Sequence, residues 1–199
     1  MQNLIKIKEE VKKLRDLTLI LNDLLFTIDT LKRLLELLKN KCNDRVILES
    51  LWTTALIIYY RCFKHGKREY ISADIFKDKN LKGDPLGCHN YYFNMRSKHI
   101  AHSINPFEQI RLGLILTKDK KEIRGIEIFS CKLSYLGIEG IETFLRLVII
   151  AKKSICKKAK DSQDKLLQLS KRIPLKKLNE VIRLEIEIPG PNDVVKESK

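Results

Sequence analysis

No two cysteines in this 199-residue chain form a C-x-x-C pair. The five present (Cys42, Cys62, Cys88, Cys131 and Cys156) are scattered and odd in number, which fits reduced thiols in a cytosol. Long apolar runs are missing as well. The longest, "ALIIYY" (55–60) and "LVIIA" (147–151), fall far short of the roughly 20 residues that cross a bilayer. The opening "MQNLIKIKEEVKK" is charged and amphipathic and has no apolar leader segment. A cytoplasmic protein with no membrane partner is therefore expected. The sequence contains no Walker loop, no G-x-G-x-x-G and no H-E-x-x-H, so nucleotide hydrolysis and zinc proteolysis have no support. Internal repeats and low-complexity linkers are also lacking. One domain over residues 1–199 is expected, with a frayed tail from about 189.

What is present points to a basic globular protein. Hydrophobic residues make up 44% and charged residues 32% of the chain, and the formal net charge is +14. Such a surface attracts polyanions, which puts RNA, DNA and anionic membranes in view. A lysine-rich composition also inflates charge without any partner, and the basic cluster "KKSICKKAK" (152–160) reads equally well as a solvated helix face.

Residues 3–39 read as one long helix. Ile7, Leu14, Leu21, Ile28 and Leu35 recur every seven residues, and Leu17, Leu24, Leu31 and Leu38 lie three further on. Ile20, Leu25, Leu34 and Leu37 widen the seam to the face of a bundle helix, so an intramolecular core is expected ahead of self-association. A second, nearly all-apolar helix is expected from a cap at Asn43 or Asp44 to about Phe63, and a short helix after Ser72. "GDPLG" starts a third, with Asp84 as cap and Pro85 at the first helical position; Asn105-Pro106 cannot continue it. Strand-like stretches at 110–117 and 123–130 flank the polar "KDKKE" and predict a hairpin. A closing helix is expected from near Ser134 to about Lys171. The fold class is mainly α, a helical bundle with a β-hairpin insertion at about 110–130.

Two of the four histidines fall within "NMRSKHIAHS" (94–103), at the end of the third helix. On an α-helix Arg96 and His99 share a face, as do His99 and His102. Arg96 and His102 are six apart, about 9 Å along the axis, so they meet one substrate only near the helix end or with a second copy of the helix. A neutral histidine takes a proton near pH 7, and an arginine beside it holds a phosphate. On RNA this pairing suits attack of the ribose 2′-OH on the neighbouring phosphodiester without a metal or cofactor.

The stretch from Arg96 to His102, "RSKHIAH", resembles the HEPN superfamily pattern of an arginine followed four to six residues later by a histidine, late in a bundle helix. With the upstream "YYRCFKHGKR", the region of about 45–150 looks like the abortive-infection type of HEPN protein. The resemblance implies a helical bundle and a homodimer whose two motifs face one another. It further implies a metal-independent endoribonuclease of a toxin or phage-defence system, leaving 2′,3′-cyclic phosphate and 5′-OH ends, with an antitoxin or defence-system protein as partner. Carried over, Arg96 stabilises phosphate and His102 is the base, with His99, Asn94, Ser97 and Arg61 in support. Ser97 departs from the Asn, Asp or His common after the arginine. Ile104 stands where one subgroup has a tyrosine that receives AMP, so that silencing is not expected here.

Each of these residues has a second use. His102 fits a C-terminal cap, Arg96 an interhelical salt bridge to Glu49, and Arg61 a plain helix-end cation. Packing suits His99, and Tyr91, Tyr92 and Phe93 are expected in the core ahead of base stacking. Asn94 fits an interface hydrogen bond. A metal site from Cys62, His65, Cys88 and His89 matches no recognised ligand pattern, and none is expected. Besides the ribonuclease, a non-catalytic HEPN-like module binding RNA, a nucleotide or a protein fits the same residues.

Overall fold

The computed structural model describes residues 2–100, 108–132, 135–174 and 190. Four α-helices carry it: α1 (Gln2–Lys39), α2 (Arg45–Phe63), α3 (Pro85–Asn94) and α4 (Ile138–Ser170). A 3₁₀ turn (Ala73–Lys77) precedes α3, and a π-helical turn (Met95–Ile100) follows it. Strands β1 (Glu108–Leu116) and β2 (Ile123–Lys132) form an antiparallel hairpin. The mainly helical class, the hairpin insertion and the order of elements agree with the sequence reading.

Helix starts follow local chemistry. Asp44 accepts a hydrogen bond from the Ile47 amide (3.1 Å), Ser72 from Asp74 (3.2 Å) and Asp84 from Gly87 (2.8 Å), each satisfying a donor that the first turn leaves free. The start of α4 differs from expectation. It begins at Ile138 after Gly137, with no side-chain cap, rather than near Ser134. At the other end of α1, Lys41 has a left-handed φ of 55° and turns the chain toward α2.

The core lies where α1 packs against α4 and α2. Ile20, Leu24, Leu31 and Leu34 of α1 are fully buried, each worth roughly 2 kcal/mol. This is the bundle face read from the sequence, with one correction: Leu25 is exposed, because the buried stripe drifts with the 3.6-residue turn. Along the same stripe Glu10, Asp16 and Asp23 are buried. Helix α2 is the one described helix long and apolar enough to cross a membrane, yet Trp52, Ala55, Leu56 and Tyr59 are spent on the core.

An aromatic cluster sets α3 in place. Trp52 meets Tyr92 and Phe144 edge-on at 6.3 and 5.8 Å, Tyr92 stacks on Phe144 at 4.4 Å, and the Tyr92 hydroxyl donates to the Gly140 carbonyl (2.7 Å). Helices α2, α3 and α4 are thereby locked side by side. Tyr91, expected in the core from the sequence, instead points outward and is 44% exposed.

Candidate functional site

Position 96 is delivered by a change of helix type. The Met95 amide bonds the carbonyls of both Tyr91 and Tyr92, and the chain then widens into the π turn. Such turns rotate less per residue than an α-helix, so the α-helical spacing assumed for Arg96 and His99 does not hold here. His99 contributes its backbone to this turn, while its side chain, like all of His102, lies outside the described residues.

The Arg96 guanidinium lies over the Tyr60 ring, 4.2 Å from its centroid. Tyr60 in turn packs on Phe93 at 4.3 Å, and Phe93 on His89 at 5.5 Å. A ladder of tilted, packed rings thus runs from the core outward to the arginine. Among the described residues no carboxylate pairs with Arg96, and its Nε is buried without a hydrogen-bond partner. Glu49, the rival partner read from the sequence, pairs with Arg45 one turn before it (3.5 Å). Lys64 adds a second cation 5.7 Å from the same ring. The site is therefore cationic, oriented by an aromatic platform, and not neutralised by a described acid.

The supporting residues divide. Ser97 donates its hydroxyl to the carbonyl of Phe93 (3.1 Å) or Asn94 (3.3 Å), so it is spent on its own helix. Asn94 is exposed at the last α-helical position. Arg61 is engaged by Asp23 of α1 through both Nε and Nη2, and this hydrogen bonding raises its pKa further. Arg68 binds the same carboxylate at 2.9 Å. Arg61 thus ties α2 to α1 rather than adding to the cluster on Tyr60.

Histidine 89 is the residue whose place the sequence did not signal. Its Nδ1 is 2.8 Å from the Tyr59 hydroxyl, and Phe63, Phe76 and Phe93 enclose its ring. Burial lowers its pKa to about 4, so it stays neutral at pH 7. Burial also pushes the Cys62 thiol up to about 12, and His65 packs on Tyr70 at 5.0 Å. Among the described residues no group of three or more His, Cys, Asp or Glu side chains is placed to hold a metal ion.

Tyr60 is the platform that sequence reasoning missed. It lies inside the quoted "YYRCF", but only the packing of α2 against the π turn singles it out from Tyr59, which hydrogen-bonds His89 in the core. Comparison with protein-family models, with characterised proteins and with solved structures finds no match to this chain, so the HEPN resemblance stands on the residues of the motif alone.

Proposed function

We propose that this chain is a HEPN-like, metal-independent endoribonuclease of a toxin or phage-defence system, active as a homodimer. The observation that supports it is the Arg96 guanidinium: stacked on Tyr60, buried at Nε, and lacking a carboxylate partner among the described residues. An arginine held over an aromatic ring, with no described acid beside it, is ready for an anion, and a phosphodiester suits its planar fork.

In this reading Arg96 binds the scissile phosphate and stabilises the charge that gathers on it. His102 takes the proton from the ribose 2′-OH. The 2′ oxygen bonds to phosphorus, the bond from phosphorus to O5′ breaks, and the departing O5′ is protonated. The products are a 2′,3′-cyclic phosphate and a 5′-OH. Tyr60 acts as a positioning residue through Arg96.

The test incubates the purified protein with total cellular RNA in EDTA and maps the new ends. Wild type should cut, leaving cyclic phosphates. Arg96→Ala and His102→Ala should each lower the rate at least about 100-fold, in the range expected for lost phosphate stabilisation and lost general base catalysis. The same cationic seat also suits an RNA-binding module without chemistry. Binding that weakens in Arg96→Ala, with no cutting by any form, would replace the catalytic reading with that one.

A further inference from the structure

The β1–β2 hairpin carries an apolar face that nothing described covers. Its register pairs Leu112 with Ile128 and Leu114 with Ile126, with Ile110 next along β1 on the same face. These five side chains are between 61% and 72% exposed. Together they leave on the order of 600 Å² of apolar surface in water, the upper end of what a monomer shows as its largest patch. Leu116 and Ile123, at the turn end, bring the area to about 800 Å², one partner's share of a standard protein–protein interface. An isolated two-stranded hairpin is marginal in water and needs a packed face to hold its shape.

We propose that a second copy of this chain occupies this face, with the two hairpins packed against each other across a two-fold axis. Two observations select that occupant. The pairs at its centre, Leu112 with Ile128 and Leu114 with Ile126, carry no charge to favour a partner of opposite sign, whereas an apolar patch is complementary to itself. Its area matches one side of a dimer interface.

The ribonuclease reading also expects a homodimer, so this proposal rests on that dimer and adds the face that joins the copies. The lysine pair described next separates the two, because it breaks the dimer only if the hairpins form it. Sedimentation velocity on the full chain should give twice the 23.3 kDa protomer at micromolar concentration. The double variant Leu112→Lys/Ile128→Lys should raise the dimer dissociation constant at least 100-fold, with the melting transition of the helices unchanged. A wild-type monomer at about 50 µM, or a double variant that dimerises as tightly as wild type, overturns the proposal. So does loss of the dimer in Leu184→Ser/Ile186→Ser, which would make the tail the occupant. Binding of monomeric wild type to phosphatidylserine vesicles, abolished by the lysine pair, would make it a membrane and overturn the proposal equally. If the lysine variant fails to fold, hydrogen exchange on wild type decides. Amides of 110–128 should be protected at high protein concentration and released on dilution, and the absence of that dependence refutes the dimer.

Discussion

Acidification should destabilise this protein, and His89 should carry a large part of the loss. The imidazole is 4% exposed, enclosed by Phe63, Phe76 and Phe93, with the Tyr59 hydroxyl as its described polar neighbour. A proton added there would place a cation among aromatic rings and force both ring nitrogens to donate. Burial therefore lowers the pKa from the ordinary 6.5 to about 4. The unfolded chain binds this proton below pH 6.5 and the folded chain only near 4, so stability rises with pH across that window. Above 6.5 the group contributes no pH dependence; on descending to 4 it costs about 1.4 kcal/mol per unit, some 3 kcal/mol in all. That is a large share of the 5–15 kcal/mol typical of a domain. Urea titrations from pH 8 to 4.5 on wild type and His89→Leu measure it. The variant should be less stable at pH 8, since Tyr59 loses its partner, but its stability should fall less steeply between pH 6.5 and 4.5. The other histidines remain in both proteins and cancel in the comparison. Parallel curves would refute the assignment of His89 as a buried neutral base.

Four further outcomes follow from the packing. Asp23→Asn removes the charge that Arg61 and Arg68 share and should cost about 2 kcal/mol by denaturant unfolding, with Arg61→Gln adding little once Asp23 is gone. Asp84→Ala should cost about 1 kcal/mol through the lost cap. Gly87→Ala should cost a similar amount, since its new Cβ would stand 1.9 Å from Asp84 Oδ2, and the two losses should fall short of adding. Lys41→Gly should raise the melting temperature by a few degrees, because glycine accepts the left-handed turn after α1 without strain, and an unchanged or lower value would refute the strain at Lys41.

The sequence revealed helices whose ends carry chemistry and strands whose apolar residues alternate. Asp44, Ser72 and Asp84 act where a side-chain oxygen next to a free amide predicts, and the hairpin follows its polar turn. Signals of this kind are local. What escaped was set by contacts between distant segments. The π turn at Met95 breaks the 3.6-residue spacing used to relate Arg96 to His99, and nothing in "NMRSKHIAHS" announces it. Arg61 was legible as a helix-end cation, but its partner lies 38 residues earlier. Tyr60 and His89 look like ordinary members of an aromatic-rich core until the helices are brought together. Only then does one become a platform for Arg96 and the other a neutral base sealed among rings.

The buried acids of α1 have a consequence for how that helix can sit. Leucine and isoleucine recur along it so regularly that a slide of one heptad, about 10 Å, would still offer an apolar side chain at many seats of the groove. Glu10 forbids the slide. It receives hydrogen bonds from Ser162 and Lys165, both at 2.6 Å, and although burial opposes its charge, these bonds hold its pKa below the ordinary value. A shift in either direction would bring Asn3 or Leu17 to that seat, and one direction would also set Thr30 where Asp23 meets two arginines. The carboxylates act as index pins: the leucines supply the adhesion of α1 to the bundle, and the acids decide which of several near-equivalent alignments it takes.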